Sequence, residues 1–273
     1  MALTVAGYDP SSGAGITADL QVFSAHGIFG VSAVTALTVQ STVGVAGVQP
    51  VAGEWLRRTL EHLWEDLPAA GVKIGMLGSA EAVGVVAEFF RKPRAGGGGF
   101  PVVLDPVLRS SSGRELLPAD GVERMREELL PQVDVITPNW AELGMLAGKK
   151  VRGVEEAREA MEILGTRYPG LKVVATGGDA AGEPVDVLRE ARGEVVEFRG
   201  ERVETNSTHG TGCAFSSALL ARLVRGETLR EAVGGAKSYV AEALRRAPGF
   251  GSGRGPMELL WPLLGFMSGA GTE

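Results

Sequence analysis

The sequence is short of cysteine, since Cys213 is the only one among 273 residues. An intrachain disulfide is therefore impossible, and Cys213 is either a buried small side chain, a reactive thiol or a link to another molecule. No apolar run reaches the roughly 20 residues that cross a bilayer. The first residues lack the basic start and apolar stretch of a signal peptide. We therefore expect a cytoplasmic protein that has no membrane partner.

Clusters of lysine and arginine are also lacking, and the formal net charge is −6. Nucleic acids and anionic membrane surfaces attract basic patches, so we expect neither as a partner. The composition, 44% hydrophobic and 22% charged, is that of an ordinary globular protein. The length suits a single large α/β domain that covers residues 1–273.

Apolar patterns alternate between strand-like and helix-like along the chain. The predicted strands cover residues 3–7, 31–39, 43–51, 72–77, 102–104, 133–136, 171–176, 185–189 and 195–199. The predicted helices cover residues 15–25, 55–67, 81–90, 122–130, 142–147, 154–168, 213–224, 229–247 and 257–266. Four consecutive glycines at 96–99 predict a flexible loop. Repeated strand-helix-strand units indicate a mainly parallel sheet with helices on both faces.

The first segment of interest, residues 7–19, contains a GxGxxA pattern at Gly13, Gly15 and Ala18. This pattern is typical of dinucleotide sites, but two facts count against one here: the turn is too long, and no acidic residue lies between positions 20 and 53. The Walker pattern GxxxxGK[ST] is absent from the sequence. Two interpretations remain: a simple glycine-rich turn, or a substrate loop whose amides and Asp19 face a small polar ligand.

Two further segments place polar residues after predicted strands. Asp105 directly follows one strand, where a carboxylate can hold a metal-phosphate, although a simple turn explains it equally well. Met76, in the segment at residues 73–77, can equally be a core residue. Asn139 and Glu142 have the spacing of a helix capping box. The same pair could instead lie beside a hydrated magnesium ion.

The most specific segment is Thr208-His-Gly-Thr-Gly-Cys213, which precedes a predicted helix. Its glycines let several amides point at one spot, and the helix N-terminus adds positive charge, so the segment predicts an anion site for phosphoryl transfer. We expect the pKa of Cys213 to fall there, so that its thiolate can act as a base. The alternative is a turn with a buried cysteine. We expect His209 to be structural.

Six segments occur in a recognisable order: GYDPSSGAGITADL, TALTVQST, KIGML, LDPV, TPNWAEL and THGTGCAFSSAL. Their order resembles the hydroxymethylpyrimidine/phosphomethylpyrimidine kinases of thiamine biosynthesis, a branch of the ribokinase-like superfamily that includes pyridoxal kinases. The resemblance runs from about residue 3 to residue 261. It implies a three-layer α/β/α sandwich and often a homodimer. It also implies phosphorylation of a hydroxymethyl group and then of the monophosphate, with ATP and Mg2+.

The resemblance also implies roles for matching positions. The residues similar to the pyrimidine pocket, where the Gln40 amide reads the polar edge of the ring, are Gly7, Asp19, Gln40, Met76 and Val107. The residues similar to the ATP and magnesium group, in which Asp105 and Glu142 are the metal ligands, are Asp105, Asn139, Glu142, Thr176 and Lys237. The residues similar to the anion hole, with Cys213 as catalytic base, are Gly210, Thr211, Gly212 and Cys213.

One departure from the family pattern concerns charge. Thr176 occupies the place of a lysine that resembles a phosphate ligand, so a positive charge is missing there. A pyridoxal or pyridoxine kinase on the same scaffold therefore remains an alternative, and so does a pyrimidine-binding relative without turnover. Gln40 and Met76 favour the pyrimidine, and Cys213 with its glycines favours an enzyme.

Overall fold

The computed structural model describes residues 1–95, 99–110, 112–178 and 182–267. Of the loop expected at the four glycines, residues 96–98 lie outside the described part. The described strands are β1 (Ala2–Tyr8), β2 (Gly30–Ser41), β3 (Gly44–Pro50), β4 (Val72–Ile74), β5 (Val102–Leu104), β6 (Val135–Ile136), β7 (Lys172–Ala175), β8 (Val185–Arg189) and β9 (Val195–Arg199). They form one sheet in the order β3-β2-β1-β4-β5-β6-β7-β8-β9.

The sheet is mainly parallel, as the sequence predicts. Six neighbouring strands, in the sheet order β2-β1-β4-β5-β6-β7, pair in parallel. At the two edges of the sheet, β3 on one side and β8 and β9 on the other add antiparallel extensions. The described helices are α1 (Gly15–Ala25), α2 (Gly53–Asp66), α3 (Ala80–Ala95), α4 (Ala119–Arg124), α5 (Trp140–Ala147), α6 (Val154–Arg167), α7 (Thr211–Val224), α8 (Leu229–Arg245) and α9 (Trp261–Met267). Among the described helices, none has the length and apolarity to cross a membrane.

The central strands are apolar on both faces, because each face packs against a layer of helices. In β5, Val102 and Leu104 belong to the core beneath α2, α3 and α6, whereas Val103 belongs to the core beneath α1, α7 and α8. In β7, Val173 and Val174 divide between the two cores in the same way. The period of two along each strand thus produces the three layers.

Some helix ends differ from the prediction for local reasons. The helix expected over residues 122–130 consists of α4, a π-helical turn at Met125–Leu129 and a 3-10 turn at Leu130–Gln132. Pro131 lacks an amide hydrogen, so the α-helical bonding pattern cannot continue through it. The last helix begins at Trp261 rather than near residue 257, with Pro262 in its first turn, a position that proline tolerates.

Parallel strands share the direction of their carboxyl ends. The ends of β1, β4, β5, β6 and β7 therefore lie along one edge of the sheet. In open α/β sheets this edge is where ligands bind. The glycine-rich loop after β1, Asp105 after β5 and Asn139 after β6 are consequently brought to the same side of the molecule.

Candidate active site

A cavity of about 1910 Å³ opens at this edge of the sheet. All of the predicted site residues except one line it. The lining residues among them are Gly7, Gln40, Met76, Asp105, Val107, Asn139, Glu142, Thr176, Gly210, Thr211, Gly212, Cys213 and Lys237. Residues far apart in the sequence, such as Gln40 and Cys213, therefore face the same space.

The two glycine-rich loops hold each other by backbone contact. Gly210, the N-cap of α7, has φ of +78°, and a Cβ there would lie 1.9 Å from the Gly13 carbonyl oxygen. A Cβ at Gly13 would lie 2.3 Å from Cδ2 of His209. Gly210 therefore requires glycine for its left-handed backbone and for the close approach of Gly13, and Gly13 requires it for the close approach of the His209 ring. The sequence leaves open whether the loop that contains Gly13 binds a ligand. In the structure, Gly13 itself packs against the turn at His209 and Gly210.

The N-terminus of α7 faces the cavity without a side-chain cap. Within the described part of the chain, no hydrogen bond occupies the amides of Thr211 and Gly212. A Cβ at Gly212 would lie 3.7 Å from Oδ2 of Asp105, so the amide end of α7 adjoins this carboxylate. Amides that point into a cavity with a helix dipole behind them form a site for an anion.

The exception among the predicted residues is Asp19, which lies behind the cavity. Its side chain is fully buried, and Lys73 Nζ donates to both carboxylate oxygens at 2.9 Å. Thr4 and Ser217 donate two further hydrogen bonds, of 2.6 and 2.7 Å. The expectation that Asp19 faces a ligand is therefore wrong in this structure, because a buried carboxylate requires a charged partner and finds it in Lys73.

The expected fall in the pKa of Cys213 is also wrong. Burial raises the pKa of the thiol to about 12, and the charges of Asp105 and Asp19 add to the rise, while Lys73 and the Gly15 amide oppose it. Cys213 lies in the first turn of α7, which begins at Thr211 rather than at residue 213 as predicted. Removing its thiolate from water costs more free energy than the helix N-terminus restores. The Cys213 thiol is thus protonated at neutral pH in the ligand-free protein.

Thiol labelling tests this protonation state, because any labelled thiol must be Cys213. We expect slow reaction with iodoacetamide at neutral pH and a rise of about tenfold per pH unit up to at least pH 9, since the thiolate fraction grows in that proportion below the pKa. Urea-unfolded protein is the control, and its rate should level off near the ordinary thiol pKa of about 8.5. The same early plateau in the folded protein would contradict the raised pKa.

Asp105 occupies the position from which a cation could be held. Burial raises the pKa of its carboxyl to about 6; the charge of Asp19 adds to this rise, while Lys73 and a 3.2 Å hydrogen bond from Ser216 oppose it. Within the described residues, no cluster of three or more histidine, cysteine, aspartate or glutamate side chains could hold a metal. Magnesium suits such a place, because it keeps several waters and needs only one or two carboxylates.

The capping box at the start of α5 is confirmed. Asn139 Oδ1 accepts from the Glu142 amide at 2.9 Å, and Glu142 Oε2 accepts from the Asn139 amide at 3.0 Å. Glu142 Oε1 lies 3.4 Å from the Leu108 amide nitrogen. These bonds fix both side chains on the cavity wall, on the side of Asp105.

The comparisons with known proteins agree with this geometry. The family model described as phosphomethylpyrimidine kinase matches residues 9–258. The chain belongs to this family. It is 37% identical over 257 residues to the hydroxymethylpyrimidine/phosphomethylpyrimidine kinase of Aquifex aeolicus, which covers 93% of this chain and 97% of the relative.

Two solved structures have the same fold as this kinase. A pyridoxal kinase from Staphylococcus aureus in complex with ADP has a TM-score of 0.84 and 28% identity, covering 95% of this chain and 93% of its own. A phosphomethylpyrimidine kinase from Clostridium difficile has a TM-score of 0.76 and 35% identity, covering 89% and 98%. The predicted ribokinase-like α/β/α sandwich and the phosphotransferase class are thereby confirmed.

Thr176 and Lys237 lie at the end of the kinase cavity near β7 and β8. The Thr176 amide donates to the Pro138 carbonyl at 2.9 Å, next to the capping box. Lys237 Nζ forms a 2.8 Å ion pair with Asp186, so its charge is already paired. The Arg202 guanidinium donates to the Gly178 carbonyl at 3.3 Å, two residues beyond Thr176. The positive charge of Arg202 is therefore present close to Thr176.

The Asp9 carboxylate also lines the cavity of the kinase, although it was not among the predicted site residues. It accepts from the amides of Ser11 and Ala14 at 2.8 and 2.9 Å, and its Oδ2 lies 2.7 Å from His209 Nε2. Burial acts to raise the pKa of Asp9, but the hydrogen bonds from His209 and Ser11 outweigh it and keep the pKa below its usual value. The Asp-Pro-Ser turn was the available signal, since aspartate often bonds the amide two residues on.

Proposed function

We propose that this kinase transfers the γ-phosphoryl group of ATP to the hydroxymethyl group of 4-amino-5-hydroxymethyl-2-methylpyrimidine, and then to the monophosphate, in thiamine biosynthesis. One observation carries the proposal. The uncapped amides of α7, Cys213 and Asp105 face the same cavity as Gln40 and Met76. A phosphoryl donor and a flat polar ring can therefore meet there.

The ring pocket is proposed at the end of the cavity near β1 and β2. Gly7 leaves the space that the Met76 thioether occupies, since a Cβ on Gly7 would lie 3.1 Å from Met76 Sδ. A polarisable thioether suits the face of a heteroaromatic ring. Gln40 supplies the polar contact to the ring edge, and Val107 completes the apolar wall.

The transfer itself requires little covalent work from the protein. The substrate hydroxyl oxygen bonds to the γ-phosphorus, the bond to the β-phosphate oxygen breaks, and ADP leaves. The amides of Thr211 and Gly212 stabilise the charge on the transferred group. We propose that Asp105 and Glu142, beside Asn139, hold a magnesium ion, which would neutralise phosphate charge. Burial raises the pKa of the Asp105 carboxyl, and a nearby cation would stabilise its ionised form.

Cys213 is proposed as the group that takes the hydroxyl proton. In the ligand-free protein its thiol holds its own proton, because burial raises its pKa. The role therefore requires that the thiol release its own proton to solvent before the transfer, a loss that a bound magnesium ion would favour and the ATP phosphates would oppose. Lys73, whose charge already lowers the pKa of the thiol, is the buried cation on its other side.

Two alternatives are kept because specific observations favour them. The likeness to a pyridoxal kinase favours phosphorylation of pyridoxal, which is also a flat ring with a hydroxymethyl group. Thr176 favours a binding protein without turnover, since it lacks the charge of a phosphate ligand. We regard the pyrimidine as the better substrate, because Gln40 and Met76 both face the cavity.

A transfer assay with purified protein separates these functions. We expect release of ADP with hydroxymethylpyrimidine, ATP and magnesium, and a kcat/KM for the pyrimidine above that for pyridoxal. Calorimetry with each ring, in the presence of a non-hydrolysable ATP analogue, measures binding separately from turnover. Turnover of pyridoxal alone would contradict the proposal, and binding of the pyrimidine without turnover would contradict any kinase activity on it.

We also propose that the protein works in the cytoplasm as a homodimer. The antiparallel extension formed by β2 and β3 exposes Leu37, Val39 and Val43 by 52, 67 and 73%. Leu37 and Val39 lie two residues apart on β2, and Val43 lies in the turn between β2 and β3. Exposed aliphatic side chains grouped in this way form an apolar surface of the kind that protein contacts cover. The resemblance implies that the partner is a second copy of the chain, and sedimentation equilibrium would measure the mass of the assembly.

A further inference from the structure

Three side chains form a continuous hydrogen-bonded row beside the ring pocket. His209 Nε2 lies 2.7 Å from Asp9 Oδ2 and 3.0 Å from the side-chain nitrogen of Gln40. All three residues line the cavity, although Asp9 and His209 are only 3 and 8% exposed. Both contacts are made by the same imidazole nitrogen, so a single N–H of His209 lies between a buried carboxylate and the residue proposed to contact the ring.

The imidazole in this row is held in place from several sides. The His209 backbone amide donates to the Gly255 carbonyl at 3.1 Å. On the opposite side, Gly13 leaves room for the ring, because a Cβ there would overlap His209 Cδ2. Asp9 is fixed in turn by the amides of Ser11 and Ala14. Neither His209 nor Asp9 can therefore rotate freely, and the row has one geometry.

The proton positions in the row follow from the chemistry of its members. An ionised carboxylate only accepts hydrogen bonds, and the lowered pKa of Asp9 keeps it ionised at neutral pH. His209 Nε2 must therefore carry a hydrogen and donate it. A Gln40 side-chain nitrogen next to that N–H would place two donors against each other with no acceptor between them. The Gln40 oxygen in the same place would instead accept from this N–H, which it shares with Asp9. The two ends of a glutamine amide are assigned by such hydrogen-bonding partners, so the oxygen of Gln40 belongs on the His209 side.

We propose that Asp9 and His209 are positioning residues that fix the Gln40 amide with its oxygen toward His209 and its NH2 group toward the cavity. The pocket then offers a donor to the ring and selects an edge that presents an acceptor nitrogen. This inference rests on the proposed function, because it identifies what Gln40 reads in that ligand. It also gives His209 and Asp9 a role in substrate selection that acts through Gln40.

A double-mutant cycle tests this coupling. We expect His209→Phe to raise KM for hydroxymethylpyrimidine about 2- to 12-fold, the range expected for one net hydrogen bond, with a smaller change in KM for ATP. Gln40→Ala should raise the same KM by at least as much. In the Gln40→Ala background, His209→Phe should have almost no further effect, because its action passes through Gln40. Asp9→Asn should follow the same pattern.

Two further variants separate positioning from general damage. His26→Phe makes the same replacement at a histidine outside the cavity, where Nδ1 lies 2.8 Å from the Val22 carbonyl oxygen, and should leave KM for the pyrimidine unchanged. Gln40→Glu keeps the shape but presents only acceptors to the cavity. We expect it to bind the pyrimidine no better than Gln40→Ala, as measured by calorimetry. Thermal unfolding of every variant identifies those that are misfolded.

The outcomes distinguish this inference from the proposed function. If the unaltered protein phosphorylates the pyrimidine but His209→Phe costs the same factor with and without Gln40, the positioning role is overturned and the function stands. If Gln40→Glu binds the pyrimidine like the unaltered protein, the amide orientation is overturned. If the unaltered protein does not phosphorylate the pyrimidine at all, the proposed function fails first.

Discussion

Replacement of Lys73 by methionine is expected to lower the free energy of unfolding by about 3–5 kcal/mol, the usual cost of breaking a buried ion pair by removing one partner. Lys73 and Asp19 are both fully buried, and the ammonium group donates to both carboxylate oxygens. Methionine has similar length but no charge, so the Asp19 carboxylate would remain in the interior with only the hydroxyls of Thr4 and Ser217.

Urea denaturation measures this effect, and two variants control it. Arg57→Met removes a 2.8 Å ion pair with Glu88 at the surface, where the side chains are 36 and 55% exposed, and should cost less than about 1 kcal/mol. Adding Asp19→Asn to Lys73→Met should recover part of the loss, because it removes the unpaired charge. A loss for Lys73→Met as small as that for Arg57→Met would mean that the pair is not important for stability.

Replacement of Cys213 by alanine is expected to lower kcat by about 10²- to 10⁴-fold, the usual contribution of a positioned base. The dissociation constants for ATP and the pyrimidine should change little, because the thiol is proposed to act on the hydroxyl proton rather than to hold either ligand. Single-turnover kinetics with both substrates saturating measures the chemical step directly, and calorimetry measures the binding.

Cys213→Ser is the matched control for this prediction. Its hydroxyl fills the same place but ionises far less readily than a thiol, so it should be nearly as slow as alanine. A near-normal rate for both variants would reduce Cys213 to a packing residue. Phosphoryl transfer would then depend on positioning and charge alone, which the loose transition state of this reaction permits.

Much of the fold could be predicted because local pattern and tertiary environment agree. The bounds of α1, β5, β8 and β9 are as predicted, since their apolar residues match one period without interruption. The π-helical turn after α4 was not predicted, because the apolar pattern of a π-helical turn does not differ visibly from that of an α-helix. The ends of the helices and strands were the least predictable part. The strand expected at 72–77, for example, ends at Ile74.

The candidate site shows where sequence reasoning stops. Glycine-rich turns and residues at strand ends were found, because their positions follow from chain order and from the rule that ligands bind at the carboxyl edge. The ion pair of Asp19 with Lys73 and the burial that raises the pKa of Cys213 both arise from side chains that come together only in three dimensions. The contact of Asp9 with His209 joins residues that lie 200 positions apart.

The contact between Gly13 and the turn at Gly210 has a consequence for the newly made protein. One wall of the cavity comes from the start of the chain, and the wall that binds the anion comes from near its end. During synthesis, the first strands can pair while the later turn is still inside the ribosome. The nascent chain can therefore begin its sheet before the turn at Gly210 exists, and a product truncated before Gly210 lacks the amides proposed to hold the transferred phosphoryl group.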